Sequence, residues 1–193
     1  MSDLFTGLIT SKTRIKLLLR FFLNVGTKAY LRELSREFQI STNAVREELN
    51  QLTDAKLLKS NREGRRIYYE ANRSHPLLPE LTSMVRKVMG IDSVIDGIIN
   101  RLGALERAYL IGDYAVGKDT GIIDLLLVGN IDRYHLEDLS RKTERYIKRK
   151  IRCLVLKQDE LEDFFQKFEN QPKLLLWQTD AEKPPVDDTH AIS

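Results

Sequence analysis

The sequence predicts an α+β protein built from two successive units. Three observations carry this reading. Residues 12–55 contain three stretches with apolar residues at helical spacing, followed at once by a short hairpin pattern. Residues 104–177 instead alternate short apolar runs with helical stretches. Charge is divided in the same way: residues 1–73 hold 14 Lys or Arg against 8 Asp or Glu, and residues 74–193 hold 17 against 20. A basic first unit beside a mildly acidic second one points the first unit towards a polyanion.

The first helix is expected over residues 12–24, with Ile15, Leu18, Leu19, Phe22 and Leu23 on one buried face and Gly26 ending it. A second helix is expected over 31–38, with Leu31, Leu34 and Phe38 inward. Gln39 and Ile40 make a tight turn. Ser41 follows at an N-cap position, where its hydroxyl can accept from a free amide of the next turn. A third helix runs from Thr42 to about Ala55, with Val45, Leu49 and Leu52 inward. Leu57 begins a strand, residues 61–64 turn with Gly64 at a positive φ, and 65–70 return as a second strand.

The inward face of the third helix fixes its outward one: Thr42, Asn43, Arg46, Glu47 and Asn50. Asn and Arg are the side chains that pair in bidentate fashion with adenine and guanine edges in the major groove. The hairpin adds Arg62, Arg65 and Arg66, which suit phosphates or a minor groove. The blander reading is a solvated helix face and a hairpin edge blunted by charge. A helix pair followed directly by a basic hairpin favours a winged helix-turn-helix that binds double-stranded DNA.

The stretches Tyr30-Leu-Arg-Glu-Leu-Ser-Arg-Glu-Phe38 and Ser41-Thr-Asn-Ala-Val-Arg-Glu-Glu-Leu-Asn-Gln-Leu52, with Leu57-Leu58 and Arg66-Ile-Tyr-Tyr69, resemble the winged-helix domains of arsenic-repressor-type bacterial regulators. The resemblance covers residues 12–72 and implies a homodimer on a two-fold DNA site. Such domains often carry Gly before the first wing strand, where this chain has Ala55 and Lys56. Their metal-sensing versions carry Cys and His clusters, and this chain has neither residue before His75. Metal sensing is therefore not expected.

Residues 74–103 read as a helical connection. Leu77, Leu81, Met84, Val85 and Val88 form one stripe, and Ile91, Val94, Ile95, Ile98, Ile99 and Leu102 a second after Gly90. These stripes pack either on the chain's own units or on a second copy. The expectation is that the first helix and residues 77–88 help to build the homodimer.

In the second unit, strands are expected at 108–111, 122–128, 151–156 and 173–177, with helices at 134–150 and 160–168. The segment Tyr109-Leu-Ile-Gly-Asp-Tyr-Ala-Val-Gly117 followed by Ile123-Asp-Leu-Leu-Leu-Val-Gly129 resembles the nucleotidyltransferase fold of the DNA polymerase beta superfamily. The resemblance implies a Gly-Ser turn for phosphates and three carboxylates for divalent metals. Here Gly112 matches the turn glycine, but Asp113 stands in place of the Ser. Asp124 matches one metal carboxylate, Ile122 occupies the place of its partner, and Arg152 falls near the third. The basic position holds Val116. The expectation is a nucleotidyltransferase-like domain with no catalytic residues, metal or cofactor. It retains Gly112, Asp113 and Asp124 as a candidate binding site for a nucleotide or a protein partner. The alternative is an active metal-dependent nucleotidyltransferase targeted by the winged helix, with Asp113, Asp119 and Asp124 rebuilding a metal site.

The helix at 134–150 carries many basic residues among Glu137, Asp138 and Glu144, and reads as a salt-bridged solvated helix. The lone Cys153 lies on an expected strand as packing and leaves no internal disulfide. His75, His135 and His190 have no ligand spacing. Residues 178–193 are expected to be disordered. No apolar run approaches the roughly 20 residues of a membrane span. The combined expectation is a cytoplasmic transcription regulator, a repressor in sign.

Overall fold

The computed structural model describes residues 9–179. The elements are α1 (Lys12–Phe22), β1 (Ala29–Tyr30), α2 (Leu31–Phe38), α3 (Thr42–Asp54), β2 (Leu58–Glu63), β3 (Arg66–Ala71), α4 (Leu78–Met89), α5 (Ile91–Gly97), β4 (Leu105–Ile111), β5 (Ile122–Gly129), α6 (Arg133–Ile147), β6 (Lys150–Leu156), α7 (Leu161–Lys167) and β7 (Lys173–Gln178). Short 3-10 turns lie at 99–101, 112–116 and 158–160. The architecture is mixed α+β. No helix among the described residues is long and apolar enough to cross a membrane. Gln178 belongs to β7, which corrects the start expected for the tail, and residues 180–193 lie outside the described residues.

In the first unit, α1 is the central element. A single buried face was expected, but Leu17 to Phe22 are all buried, together with Ile15. The reason is that α3, α4, β3 and the 112–116 turn pack around it from several sides. Full burial of a residue such as Phe21 or Phe22 contributes about 1.5–3 kcal/mol. Arg20 is buried with them at 6% exposure, and reaches Glu33 at 3.5 Å and Glu37 at 3.3 Å. The apolar face of α1 that was expected to contribute to a dimer is thus spent within the chain, while Lys12, Thr13, Arg14 and Lys16 keep part of the helix at the surface. On α4 the expected stripe is divided: Val85 and Val88 are buried, while Leu77 and Met84 face outward.

The hairpin β2–β3 is joined by β1 into an antiparallel sheet of order β1-β3-β2. β1 pairs Ala29 with Tyr69 and Tyr30 with Tyr68. Lys56 takes φ 60, the conformation that the resemblance would give to glycine at this turn.

The second unit is a sheet of order β6-β5-β4-β7, with β5 and β6 parallel and the other pairs antiparallel. Ile123, Leu125 and Leu127 of β5 join the main core, and Leu126 and Val128 face α7 on the other side. α6 ends at Ile147 because Lys148 turns left-handed at φ 54, so Lys148, Arg149 and Lys150 leave the helix expected to carry them. Two ion pairs run along the helix, Arg141 with Glu137 at 3.4 Å and Lys142 with Asp138 at 2.6 Å, and Glu144 turns to Lys150 at 3.0 Å.

The two units share one apolar core. Asn24 donates to the Ala115 carbonyl at 3.3 Å. Gly117 takes φ 78 and lies directly against the Leu19 carbonyl, where a Cβ has no room. Tyr114 is buried; its hydroxyl lies 3.3 Å from the Met89 carbonyl and 3.1 Å from Asp119. Arg149 clamps the same Asp119 at 2.7 Å and reaches the Val88 carbonyl at 3.3 Å.

Candidate nucleic-acid interface

The start of α3 is set by local chemistry. Gln39 turns left-handed at φ 56, ending α2. Ser35 donates to the Ile40 carbonyl at 2.6 Å, which fixes the turn. The Ser41 hydroxyl then accepts from the Ala44 amide at 3.3 Å, so one of the orphan amides of α3 is capped. Val45, Leu49 and Leu52 bury the inner face. Glu48 accepts from Arg14 of α1 at 2.7 Å, which pins the helix from behind.

Thr42, Asn43, Arg46, Glu47 and Asn50 are all exposed on the outer face. Arg46 donates to Asn43 Oδ1 at 3.1 Å, so the guanidinium is held over the first turn of the helix. The hairpin curls beside this face and closes a groove of about 760 Å³. Arg46 and Asn50 line it from α3, and Arg65, Arg66 and Ile67 from the hairpin. Arg32 and Arg36 of α2 complete it, and none of its lining residues is acidic. Five arginines with no counter-charge make a strongly positive trough.

The hairpin turn is tighter than expected. Glu63 pairs with Arg66, so the turn is Gly64 and Arg65 alone, with Gly64 at φ 61. Asn61, Arg62 and Glu63 lie on β2 instead of in the turn, because β2 and β3 pair right up to the two-residue turn. Arg65 therefore stands at the tip, and Arg62 folds back on the Gly64 carbonyl at 3.3 Å. Arg66 lies over the Tyr30 ring at 4.8 Å, and Tyr30 meets Tyr68 edge-on. Contact with Tyr68, and after it the charge of Tyr30, raise the Arg66 pKa above the ordinary guanidinium value. Thr42, Asn43, Glu47 and Arg62 are thus on the same exposed side but outside the groove lining.

Arg32 and Arg36 were missed by sequence reasoning. Their i, i+4 spacing opposite Leu34 and Phe38 is visible in the sequence, but only the fold brings that stripe against Arg65 and Arg66.

The second candidate site is built differently. Gly112 takes φ 67 next to Asp124, but its amide already donates to the Pro172 carbonyl at 2.9 Å. Asp124 accepts from Arg152 through both carboxylate oxygens, at 2.6 and 2.8 Å. The two residues are register partners on β5 and β6, and the carboxylate raises the Arg152 pKa. Asp113 turns away to Lys118 at 3.2 Å. Asp119 points to Arg149. The three acids thus each hold a cation of their own and do not converge. Among the described residues no group of His, Cys, Asp or Glu is gathered that could hold a metal ion. Burial pushes the Cys153 thiol up to about 11, so it is protonated at neutral pH and a poor nucleophile.

No family model matches the chain, and no curated protein matches it. Among solved structures, reduced HlyU from Vibrio cholerae is similar over 45% of this chain and 83% of its own, with 16% identity and a TM-score of 0.35. The adhesin competence repressor AdcR from Streptococcus pyogenes is similar over 48% of this chain and 72% of its own, with 17% identity and a TM-score of 0.36. A protein from Sulfolobus solfataricus assigned as a nucleotidyltransferase is similar over 54% of this chain and 91% of its own, with 21% identity and a TM-score of 0.35. Each of these likenesses spans about half of the chain.

Proposed function

We propose that this chain is a sequence-specific DNA-binding transcription regulator, a repressor that works as a homodimer in the cytoplasm. The observation that carries this reading is the acid-free groove of five arginines between α3 and the hairpin. A helix face with Arg46 and Asn50 at its centre suits base edges in the major groove, which is wide enough for a helix. Arg65 at the hairpin tip suits phosphate. Two such faces, related by a two-fold axis, would read two half-sites about 34–36 Å apart.

The test separates base reading from charge. Arg46→Ala is expected to cost about 1–3 kcal/mol in binding the selected site and to relax preference at one base position. Arg65→Ala is expected to weaken selected and random DNA alike and to reduce the salt slope by about one. Fluorescence anisotropy over a salt series measures both. Unchanged specific binding in Arg46→Ala would remove α3 as the reading element.

We further propose that the second unit has lost nucleotidyl transfer. The arginine bound across both oxygens of Asp124 takes the place where a divalent ion would need the carboxylate free. Incubation with labelled nucleoside triphosphates and Mg²⁺ or Mn²⁺ is expected to yield no labelled product. Turnover that disappears in Asp124→Ala would instead establish the enzyme reading.

A further inference from the structure

A second cleft, of about 780 Å³, lies where the two units meet. One wall is Lys16 and Leu19 of α1 with Glu37 and Phe38 of α2. The other is the loop 117–121 and residues 146–149 at the end of α6. The cleft is separate from the arginine groove and shares no lining residue with it.

Its charges do not balance. Four cations line it, Lys16, Lys118, Lys148 and Arg149, against Glu37 and Asp119. Asp119 is engaged by Arg149 at 2.7 Å, and Glu37 by Arg20 at 3.3 Å through Oε2, while its Oε1 is buried out of the cleft without a partner among the described residues. Lys118 has only the exposed Asp113 at 3.2 Å, a surface pair of small worth. Lys16 donates to a neutral group, the Phe38 carbonyl, at 3.0 Å. Lys148 has no acidic partner among the described residues. Two cations without counter-charge and a third weakly held one therefore face a space with an apolar floor of Leu19, Phe38 and Ile147. Like charges gathered around a cleft cost free energy unless an anion enters.

We propose that this cleft binds a small phosphomonoester with a flat apolar body, and that the ligand acts as an effector. A phosphomonoester carries about −1.5 to −2 charge at neutral pH and three acceptor oxygens, which matches three ammonium groups. The volume lies within the roughly 300–1,000 Å³ of small-ligand sites. The body lies on Leu19, Phe38 and Ile147, and the phosphoryl group meets Lys16, Lys118 and Lys148. Phe38 is the last residue of α2, and Ser41, three residues on, caps α3. A ligand spanning Lys16 and Lys148 therefore ties the DNA-facing helix pair to the second unit. This consequence rests on the DNA-binding reading; the binding site itself does not.

The experiment is isothermal titration of the full chain with AMP, inorganic phosphate and adenosine, beside the double variant Lys16→Gln/Lys148→Gln. AMP is expected to bind once per chain at micromolar to millimolar concentration, phosphate more weakly, and adenosine undetectably. The double variant is expected to lose AMP affinity at least tenfold while melting at the wild-type temperature. Failure of AMP to bind at millimolar concentration, or equal binding by wild type and variant, overturns the site. In the wild type, AMP is expected to change DNA affinity at least threefold, and in the variant not at all. AMP bound through Lys16 and Lys148 with DNA affinity unmoved overturns the effector role. Absence of all DNA binding would overturn the regulator reading and leave the titration result standing.

Discussion

Asp119→Ala is expected to destabilise the fold by about 3–5 kcal/mol, the cost of leaving one member of a buried ion pair alone. Asp119 and Arg149 are largely buried, with side-chain exposures of 17% and 10%. Removing the carboxylate strands the Arg149 guanidinium and deprives the Tyr114 hydroxyl of a partner. The loss falls where the two units share their core, so it is read as a lower midpoint in urea with one cooperative transition. The pH dependence has a definite sign. Burial alone would raise the Asp119 pKa, but the hydrogen bond and charge of Arg149 outweigh it and hold the carboxyl below its usual range. A depressed carboxylate contributes stability that is present above the unfolded value, near pH 4, and is lost as pH falls through the folded value. Wild type and Asp119→Ala should therefore differ most above the unfolded value and draw together as pH falls through the depressed folded value. A difference that persists unchanged in acid would show that the pair is not its source.

The second large effect is expected at Gly117. An added Cβ would be driven into the Leu19 carbonyl of α1, a backbone atom in the buried C-terminal half of that helix. Overpacking costs about 1–3 kcal/mol. The positive φ adds about 1–2 kcal/mol for any residue with a Cβ. Gly117→Val is thus expected to lower the melting temperature by several degrees and to loosen this contact locally, as seen by faster amide exchange in 112–117 and in α1. Gly64→Val at the hairpin tip is the control: φ is also positive there, but no atom lies within reach of the added Cβ. Equal losses at the two glycines would mean that conformation, and not contact between the units, sets the cost.

The first unit was the more legible one. The second helix was bounded from Leu31 to Phe38 as found, because Leu34 and Phe38 lie one helical turn apart and a turn signal follows directly. Ser41 was identified as a cap by the same local chemistry. Local rules failed where distant parts meet. The pattern of α1 implied one buried face, yet Arg20 lies inside it, held by Glu33 and Glu37 on another helix. β1 is two residues long and has no alternation to detect. The hairpin turn was placed early because Asn61 and Gly64 are both turn formers, and only strand pairing decides between them. Asp124 and Arg152 were both singled out, but their union depends on the parallel register of β5 and β6. The cleft lined by Lys16 and Lys148 has no sequence signature, since its two walls come from residues 16–38 and 117–149, far apart in the chain.

The most direct test of the central claim is retention of sheared source-genome DNA on the purified full chain at about 0.15 M salt, followed by sequencing. The account predicts sharp enrichment of a near-palindromic site, lost when Arg46 and Arg65 are both replaced by Ala. No retention of DNA by the wild-type chain, or retention that the double replacement leaves intact, would contradict it.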